Sequence, residues 1–314
     1  MADIIFLDGG LGQEINKRSS QTKSHPLWSL KVMYDEPEIV SKVHLDFINA
    51  GAKVLSLNTY TATVPRLEKY QDSKDLQYTH KLAYTIMQNA IEKSNIDRKA
   101  IDIAGCLPPL VASYIASEAL PFDECVVQFQ KLIKAQRKYV DLFLVETMSN
   151  ISEAKAAITA LHSFDLPAIV SLTISDDCSN TLRSGEKLEL AAEQLAENGV
   201  SALMLNCSFP ESIDCAIPIL ADTGLPFGAY ANGFTSVKNL IPGSTVDNLS
   251  ARQDLSKIKY SEFVCKWVGL GASLIGGCCE IGPDYISHLR KVLVQAGHNL
   301  ISASQSGILS QGKY

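Results

Sequence analysis

Residues 195–207 read LAENGVSALMLNC, and residues 267–279 read WVGLGASLIGGCC. A third stretch, FINAGAKVLSLN at 47–58, has the same order: the end of an apolar helix, a glycine, a small residue and a buried strand. In each stretch the glycine can end the helix in a left-handed conformation before the chain enters the strand. This repetition is typical of a chain built from repeated helix–strand units.

Along the whole chain, short apolar runs that end in polar or glycine residues predict eight strands. Segments of helical periodicity separate most of these strands. The predicted strands are 4–8, 53–58, 102–106, 141–146, 168–173, 202–207, 227–232 and 272–277. Eight strands with right-handed crossovers predict an α/β fold of the (β/α)8 TIM-barrel type. A doubly wound open sheet is the alternative, because alternation alone fits both. No G-x-G-x-x-G follows a strand, which weakens a dinucleotide-binding interpretation.

The sequence indicates a single domain over 1–314, because no stretch rich in proline, glycine or serine divides it. Long connections are predicted at 9–36 and 233–258, and connections of this length in a compact domain usually form lids or substrate walls. The tail from about residue 297 is polar, and we expect it to be frayed.

Composition excludes several classes of protein. Hydrophobic residues make up 46% of the chain and charged residues 20%, as in soluble globular proteins. The net charge of −6, without a dense block of lysine and arginine, argues against a surface for nucleic acid or for an anionic membrane. No apolar run approaches the roughly 18 residues that span a bilayer, and the first residues make a poor secretory signal. We therefore expect a cytoplasmic protein.

The chain has eight cysteines, at 106, 125, 178, 207, 215, 265, 278 and 279. Thiols stay reduced in the cytoplasm, so no disulfide framework is expected. Cys125, Cys215 and Cys265 lie in helical patterns and are expected to pack as small apolar residues. Cys178 lies in a polar loop and has no predicted role. Cys106 ends a strand, where packing is favoured over ligation.

Cys207, Cys278 and Cys279 follow the sixth and eighth predicted strands. In a barrel these strand ends ring the face that carries active sites, roughly 10 Å apart by strand spacing. Three thiolates suit Zn²⁺ and leave its fourth position open, as in catalytic sites. Gly276 and Gly277 would give the backbone the freedom to turn adjacent cysteines toward one metal. Spacing alone does not choose between packing and metal binding.

Several motifs together resemble the homocysteine S-methyltransferase family, and the resemblance runs from about residue 4 to residue 295. The motifs are DGGLGQEI (8–15), HPLWS (25–29), VHLDFINAGAKVLSLNTYTAT (43–63), VETM (145–148), LNCS (205–208) and GASLIGGCCEIGPDYI (271–286). The resemblance implies a (β/α)8 barrel in which zinc is held by Cys207, Cys278 and Cys279. It also implies homocysteine as a substrate and methionine as a product.

The resemblance also implies a substrate site. Asp8 matches the family's DGG and Glu146 its fourth-strand glutamate, so both acids are expected near the substrate ammonium. A loop cap for Asp8 and a paired structural carboxylate for Glu146 are the alternatives. Gly9 and Gly10 would let backbone N–H groups approach the substrate carboxylate. The residues expected to bind substrate are Asp8, Gly9, Gly10, Asn58, Thr59, Tyr60, Glu146 and Asn206, with Asn206 positioning the adjacent cysteine.

The implied chemistry needs no catalytic residue beyond the zinc site. A free thiol has a pKa near 8.5 and is mostly protonated at neutral pH, whereas binding to zinc favours the thiolate. That thiolate attacks a methyl group on a cationic sulfonium or ammonium. Trp28 could form an aromatic wall for such a cation, although packing is the favoured role. The expected assembly is a monomer or a small homo-oligomer.

The donor is less well defined than the acceptor. The barrel fills the sequence and leaves no room for a cobalamin or folate domain, so a small donor is expected: S-methylmethionine, S-adenosylmethionine or betaine. A sulfonium donor is favoured, because the C-terminal extension usual in betaine enzymes is not evident. The wording at 58–61 and 229–234 departs from many relatives and leaves the donor open. A selenol or another thiol as acceptor, and a non-catalytic barrel that senses homocysteine or a metal, remain alternatives.

Overall fold

The computed structural model describes residues 2–71, 73–164, 166–238, 240 and 245–310. In these residues the strands are β1 Asp3–Phe6, β2 Val54–Ser56, β3 Asp102–Leu107, β4 Leu142–Met148, β5 Ala168–Leu172, β6 Ala202–Asn206, β7 Phe227–Tyr230, β8 Leu274–Ile275 and β9 Asn299–Ile301. The helices are α1 Leu11–Arg18, α2 Ser29–Asp35, α3 Pro37–Ala50, α4 Val64–Glu68, α5 Leu76–Ser94, α6 Phe122–Gln136, α7 Ile151–Leu161, α8 Leu188–Glu197, α9 Pro210–Ala221, α10 Lys257–Gly269 and α11 Pro283–Gln295.

The strands form one parallel sheet in the order β2-β3-β4-β5-β6-β7-β8-β1-β9. A parallel bridge between Leu7 and Val54 joins the first strand to the second. The Lys53 N–H donates to Phe6 O over 2.7 Å beside this bridge and continues the contact. The sheet therefore curls into a barrel, as predicted. An open doubly wound sheet would show a reversal in strand order, which is not present in the described part of the chain.

Side chains alternate between the inside of the barrel and the surrounding helices. Along β4, Leu142 and Leu144 belong to the cluster inside the barrel, whereas Phe143 and Val145 pack in the larger cluster beneath the helices. Both faces of the strand are buried, which explains why it reads as an unbroken apolar run. The barrel interior is filled, so binding space is left at the strand ends.

The tail departs from the expectation of a frayed segment. Residues 299–301 form β9, which pairs in parallel with β1. Ile301 and Ile308 are buried against the inner cluster, and the Ser304 N–H and hydroxyl both donate to Asp102 over 2.7 Å. The expectation was wrong for 299–310, because a few apolar residues in a polar segment are buried at the N-terminal end of the barrel. Residues 311–314 lie outside the described residues.

The two long connections lie at the opposite end of the barrel. The first, 9–36, folds into α1 and α2. In the second, 233–258, residues 239 and 241–244 lie outside the described residues. The connections touch where the Ser24 N–H and hydroxyl donate to Asp247 over 2.9 and 2.7 Å. None of the described helices combines the length and the apolar character needed to cross a membrane.

Candidate active site

A cavity of about 220 Å³ opens at the carboxyl ends of the strands. Its wall comes from the ends of β1, β2, β4, β6, β7 and β8, with further residues from the long connections. The residues predicted from the sequence that line it are Asp8, Gly9, Gly10, Asn58, Tyr60, Glu146, Cys207, Cys278 and Cys279. The fold thus brings together residues that are up to 271 positions apart, from 8 to 279.

Three cysteine sulfurs meet in this cavity. The Sγ atoms of Cys207, Cys278 and Cys279 lie within 4.8 Å of one another. Cys207 and Cys278 are joined as a disulfide, with Cα atoms 5.6 Å apart, and Cys279 is free. The expectation of reduced thiols throughout is therefore wrong for this pair in the structure. Two thiols held this close can pair as readily as they can share a metal ion.

The ends of β6 and β8 converge more than strand spacing predicts. The Cys207 N–H donates to Tyr230 O over 3.2 Å, and the Cys278 N–H donates to Ala231 O over 2.9 Å. Both cysteines thus flank the end of β7. Cys207 has a φ of 48°, a left-handed conformation that is uncommon for a residue with a side chain.

Gly276 and Gly277 have a different role from the predicted one. Neither is among the described residues with positive φ, so the backbone here is not one that requires glycine for its conformation. A Cβ atom on Gly276 would lie 2.7 Å from Leu7 Cβ and 2.9 Å from Asp8 O. The missing side chain therefore lets this segment pack directly against the end of β1.

The three sulfurs match the ligand set of a metal that prefers thiolates. In a tetrahedral zinc site with Zn–S bonds of about 2.3 Å, sulfurs lie about 3.8 Å apart. The three sulfurs lie within 4.8 Å of one another, although those of Cys207 and Cys278 are bonded to each other and so do not have this spacing in the structure. Reduction of the bond between Cys207 and Cys278 would free both thiols, so the reduced cluster fits such an ion.

Asp8, which is buried, and Glu146, which is half-buried, lie on the same cavity wall. The Ser56 N–H donates to Asp8 Oδ2 over 2.8 Å, and the Ser56 hydroxyl donates to Oδ1 over 3.2 Å. Burial raises the pKa of Asp8 to about 7, despite these hydrogen bonds. Burial likewise raises the pKa of Glu146 to about 7. A ligand ammonium would favour the ionised form of both acids, so the pair is suited to bind a cation.

Glu146 lies in a bulge that other residues hold in place. The register between β4 and β5 shifts between Val145 and Met148, and Thr147 has a φ of 62°. Asn206 Nδ2 donates to Thr147 Oγ1, and Asn206 Oδ1 accepts from the Thr147 N–H, both over 2.9 Å. Asn206 was predicted to position Cys207, but its side chain bonds to the bulge beside Glu146.

Thr59 also lies behind the cavity wall rather than on it. Its hydroxyl is 3.4 Å from Gln136 Oε1 in a buried contact. Gln136 in turn accepts from the Cys106 N–H and donates to Cys106 O, each over 3.0 Å. Thr59 therefore helps to hold β3 in place through Gln136 and does not line the cavity.

Asn58 connects the end of β2 to the first long connection. Its Nδ2 donates to Ser29 O over 3.1 Å, and the Ser29 hydroxyl donates to Asn58 Oδ1 over 2.7 Å. The Thr61 hydroxyl donates to Leu27 O over 2.7 Å. These bonds hold both neighbours of Trp28, which lines the cavity and has a buried Nε1 without a partner among the described residues.

The wall also includes residues that were not predicted as site residues from the sequence. Three of those with polar side chains are Arg66, Tyr114 and Tyr230. Tyr230 ends β7, so the rule that strand ends meet at the active face could have identified it. Arg66 and Tyr114 lie in connections without a distinctive motif, and Tyr114 has a φ of 67°. No sequence signal marked either residue.

The cysteines outside the cluster correct two further expectations. Cys178 and Cys215 are joined as a disulfide that links the connection after β5 to α9. Cys215 and Cys265 were expected to be packed, but both are exposed, because a helical pattern gives a position without fixing its face. Cys125 is buried, as expected. Cys106 is buried as well, and its thiol contacts the site.

Comparison with known proteins gives a consistent result. Residues 5–293 match the sequence profile of the family described as homocysteine S-methyltransferase. Homocysteine S-methyltransferase 3 of Arabidopsis thaliana is 28% identical over 91% of this chain and 89% of its own length. Selenocysteine methyltransferase of Astragalus bisulcatus is 27% identical over 91% of each chain.

A solved structure is similar along nearly its whole length. The metallated form of the homocysteine methyltransferase MmuM from Escherichia coli superposes with a TM-score of 0.77 at 25% identity. The superposition covers 92% of this chain and 96% of that one. The likeness spans the barrel and the strand ends together.

Proposed function

Because this chain belongs to the homocysteine S-methyltransferase family, we propose that it transfers a methyl group from a small sulfonium donor to homocysteine, giving methionine. The favoured donors are S-methylmethionine and S-adenosylmethionine. The observation that carries the proposal is the meeting of three cysteine sulfurs and the two acids Asp8 and Glu146 in one cavity. The cysteine sulfurs would hold a metal ion that binds the thiol of homocysteine, and the acids would bind its ammonium group.

The proposed cofactor is Zn²⁺, held by Cys207, Cys278 and Cys279 in their reduced form. Bound zinc would offer an open fourth position at which a substrate thiol loses its proton at neutral pH. In this assignment Cys207 and Cys278 reach the ion from the two sides of β7, and Cys279 completes the set. The three protein thiolates give the site net negative charge, which keeps a substrate sulfur electron-rich.

Asp8 and Glu146 would bind the ammonium of homocysteine. The Gly10 N–H already donates to Ile281 O over 2.8 Å, so it is engaged within the chain. The Gly9 N–H has no acceptor among the described residues and is the better candidate for the substrate carboxylate. Homocysteine would thus be held at its amino-acid end, with its thiol directed to the cysteines.

The transfer itself needs few protein groups. The homocysteine sulfur attacks the methyl carbon, the bond from that carbon to the donor's sulfonium sulfur breaks, and the donor leaves as a neutral thioether. The thiol proton has already passed to solvent. Trp28 lines the same cavity, and an aromatic face there would stabilise the cationic donor. Alignment of donor and acceptor supplies much of the remaining rate enhancement.

A second candidate acceptor is a selenol. The observation that favours it is the 27% identity to the selenocysteine methyltransferase of Astragalus bisulcatus, close to the 28% identity to the Arabidopsis enzyme. The same cluster would hold selenium as well as sulfur, because both are soft ligands. Competition between homocysteine and selenocysteine at equal concentration would rank the two acceptors.

The test of the proposed function is a donor screen. Reduced, zinc-loaded protein is mixed with homocysteine and each donor in turn, and methionine is measured with and without a chelator. We expect methionine from a sulfonium donor and a loss of activity with the chelator. A protein that binds zinc and homocysteine but forms no methionine from any donor would instead be a binding barrel.

A further inference from the structure

Arg66 places an unpaired positive charge on the cavity wall. It lies in α4, directly after β2, where the Thr63 hydroxyl caps the helix by accepting from the Arg66 N–H over 3.4 Å. The same hydroxyl donates to Leu110 O over 2.7 Å. The backbone that carries the guanidinium is therefore anchored to the neighbouring connection.

The guanidinium is fixed by neutral groups alone. Arg66 Nη2 donates to Pro109 O over 2.9 Å and to Ser113 Oγ over 3.4 Å. Its Cζ lies 5.6 Å from the centre of the Tyr60 ring, and the Tyr60 hydroxyl is 2.8 Å from Ser113 Oγ. This wall holds the guanidinium in one orientation.

No described carboxylate forms an ion pair with Arg66, although Glu153 lies near enough to attract its charge. Among the described residues none lies within ion-pair distance of Arg66, and its buried Nε has no hydrogen-bond partner. The nearby acid Glu153 is engaged with the Leu110 N–H over 2.9 Å. Burial lowers the pKa of the Arg66 guanidinium from its ordinary value. A half-buried, fixed cation with an unused buried donor is the arrangement that an anionic ligand completes.

The barrel places this cation across from the sulfur cluster. In a ring of eight strands, β2 lies opposite β6, so Arg66 and Cys207 stand on opposite sides of the cavity. A zwitterionic donor in this field would turn its sulfonium toward the thiolates and its carboxylate toward the guanidinium. We propose that Arg66 binds the carboxylate of the methyl donor and makes the site selective for donors that carry one.

This inference rests on the proposed function and adds a requirement to it. Arg66 is a specificity-determining residue that touches the donor at the end remote from the methyl group. A forked contact from a guanidinium to a carboxylate is directional, so it distinguishes a carboxylate from other groups at that end of the donor. Donors without a carboxylate, such as simple trialkylsulfonium ions, would lack this contact.

The test compares S-methylmethionine with its decarboxylated analogue, which keeps both the sulfonium and the ammonium. Titration calorimetry with reduced, zinc-loaded protein would measure the affinity of each. We expect the carboxylate to strengthen binding by about tenfold to a hundredfold in the unmodified protein. In Arg66→Gln the two compounds should bind about equally, because the guanidinium that discriminates them is gone.

Lys69→Gln is the matched control, since Lys69 lines the same cavity but is exposed. It removes the same charge and should leave the preference within about twofold. Arg66→Lys keeps the charge without the fork and should show an intermediate preference. This variant also retains a cation at the site should Arg66→Gln fold poorly. Circular dichroism, zinc content and homocysteine affinity should match the unmodified protein for all variants.

Turnover separates the failure of this inference from the failure of the proposed function. With S-methylmethionine, Arg66→Gln should raise the donor KM while kcat stays close to that of the unmodified protein. A preference for the carboxylate that survives Arg66→Gln would overturn the assignment, and so would a loss of homocysteine affinity in place of donor affinity. If the unmodified protein forms no methionine from any donor, the proposed function fails. The calorimetric comparison of the two donors still tests whether Arg66 binds the carboxylate.

Discussion

The thiol of Cys106 donates a hydrogen bond to Oε1 of Glu146, with the two atoms 2.7 Å apart. This bond favours the ionised form of a carboxyl group whose pKa burial raises to about 7. Cys106 lies near the end of β3, and Glu146 lies in the bulge of β4. A residue of the neighbouring strand therefore affects the ionisation of the carboxyl group that is proposed to bind the ammonium.

Replacing Cys106 should change the pH dependence of substrate binding. Cys106→Ala removes the bond that lowers the pKa of Glu146, so that pKa should rise above its value of about 7. The pH below which kcat/KM for homocysteine declines should then move upward by about half a pH unit. A pH profile of kcat/KM measures this. Cys125→Ala, which removes another buried thiol, should leave the profile in place.

Glu146→Gln should stabilise the protein while abolishing tight homocysteine binding. Because the folded-state pKa of Glu146 is raised from 4.5 to about 7, the native protein loses stability as pH rises through that range. The neutral glutamine avoids this loss. The variant should therefore gain about 1–3 kcal/mol in the free energy of unfolding at about pH 8 and less than about 1 kcal/mol at about pH 5. Denaturant unfolding of metal-free, reduced protein measures both values.

The exposed Glu189 provides the control for that experiment. Glu189→Gln should leave the free energy of unfolding close to that of the unmodified protein at both pH values, because the Glu189 side chain is exposed to solvent. Equal stability of Glu146→Gln and the unmodified protein at both pH values would show that the ionised Glu146 does not destabilise the folded protein.

Metal content tests the sulfur cluster directly. Reduced protein should hold about one zinc per chain, and Cys278→Ser should lose it, because the hydroxyl is a poor replacement for a thiolate. Elemental analysis after desalting measures the content. Cys265→Ser changes an exposed cysteine outside the cluster and should keep the metal. Full zinc occupancy in Cys278→Ser with native circular dichroism would remove Cys278 from the ligand set.

Zinc uptake should also depend on reduction. With Cys207 and Cys278 joined, only Cys279 remains of the three ligands, so oxidised protein should take up little zinc until a phosphine reductant is added. Cys178→Ser removes the other disulfide and should show the same requirement. Equal uptake before and after reduction would show that the metal does not use this pair.

The buried tail makes a prediction about stability. Ile308 is 4% exposed, so Ile308→Ala should lower the free energy of unfolding by about 2–4 kcal/mol. Ile258→Ala removes the same atoms from a side chain that is 60% exposed and should have little effect. Urea unfolding followed by circular dichroism compares the two. Equal, small effects would indicate that the tail contributes nothing to the fold.

The sequence predicts what depends on local pattern. Apolar runs located the eight barrel strands, and the rule that parallel strand ends meet at one face predicted that Cys207 and Cys278 share that face. It could not predict the 5.6 Å between their Cα atoms, because that distance depends on the left-handed turn at Cys207 and on bonds to β7.

Contacts between remote segments account for the rest. No local sequence pattern marks Arg66 as a functional residue. Its guanidinium is held on the cavity wall because the connections after β2 and β3 meet around it. The buried tail was missed for a similar reason, since its few apolar residues gain their partners from the far side of the barrel. Composition describes the average of a segment and overlooks single residues that are buried.

The bonds from Ser304 to Asp102 join residues that are 202 positions apart. A ribosome makes the acid long before the serine, so the nascent barrel must leave its floor open until residue 304 has been made. Until then Asp102 is a carboxylate without these partners, and inner apolar residues such as Ile5 lack part of their cover. Insertion of residues 299–310 thus follows the synthesis of all eight barrel strands, and chaperones would find exposed apolar surface at this end of the barrel until then.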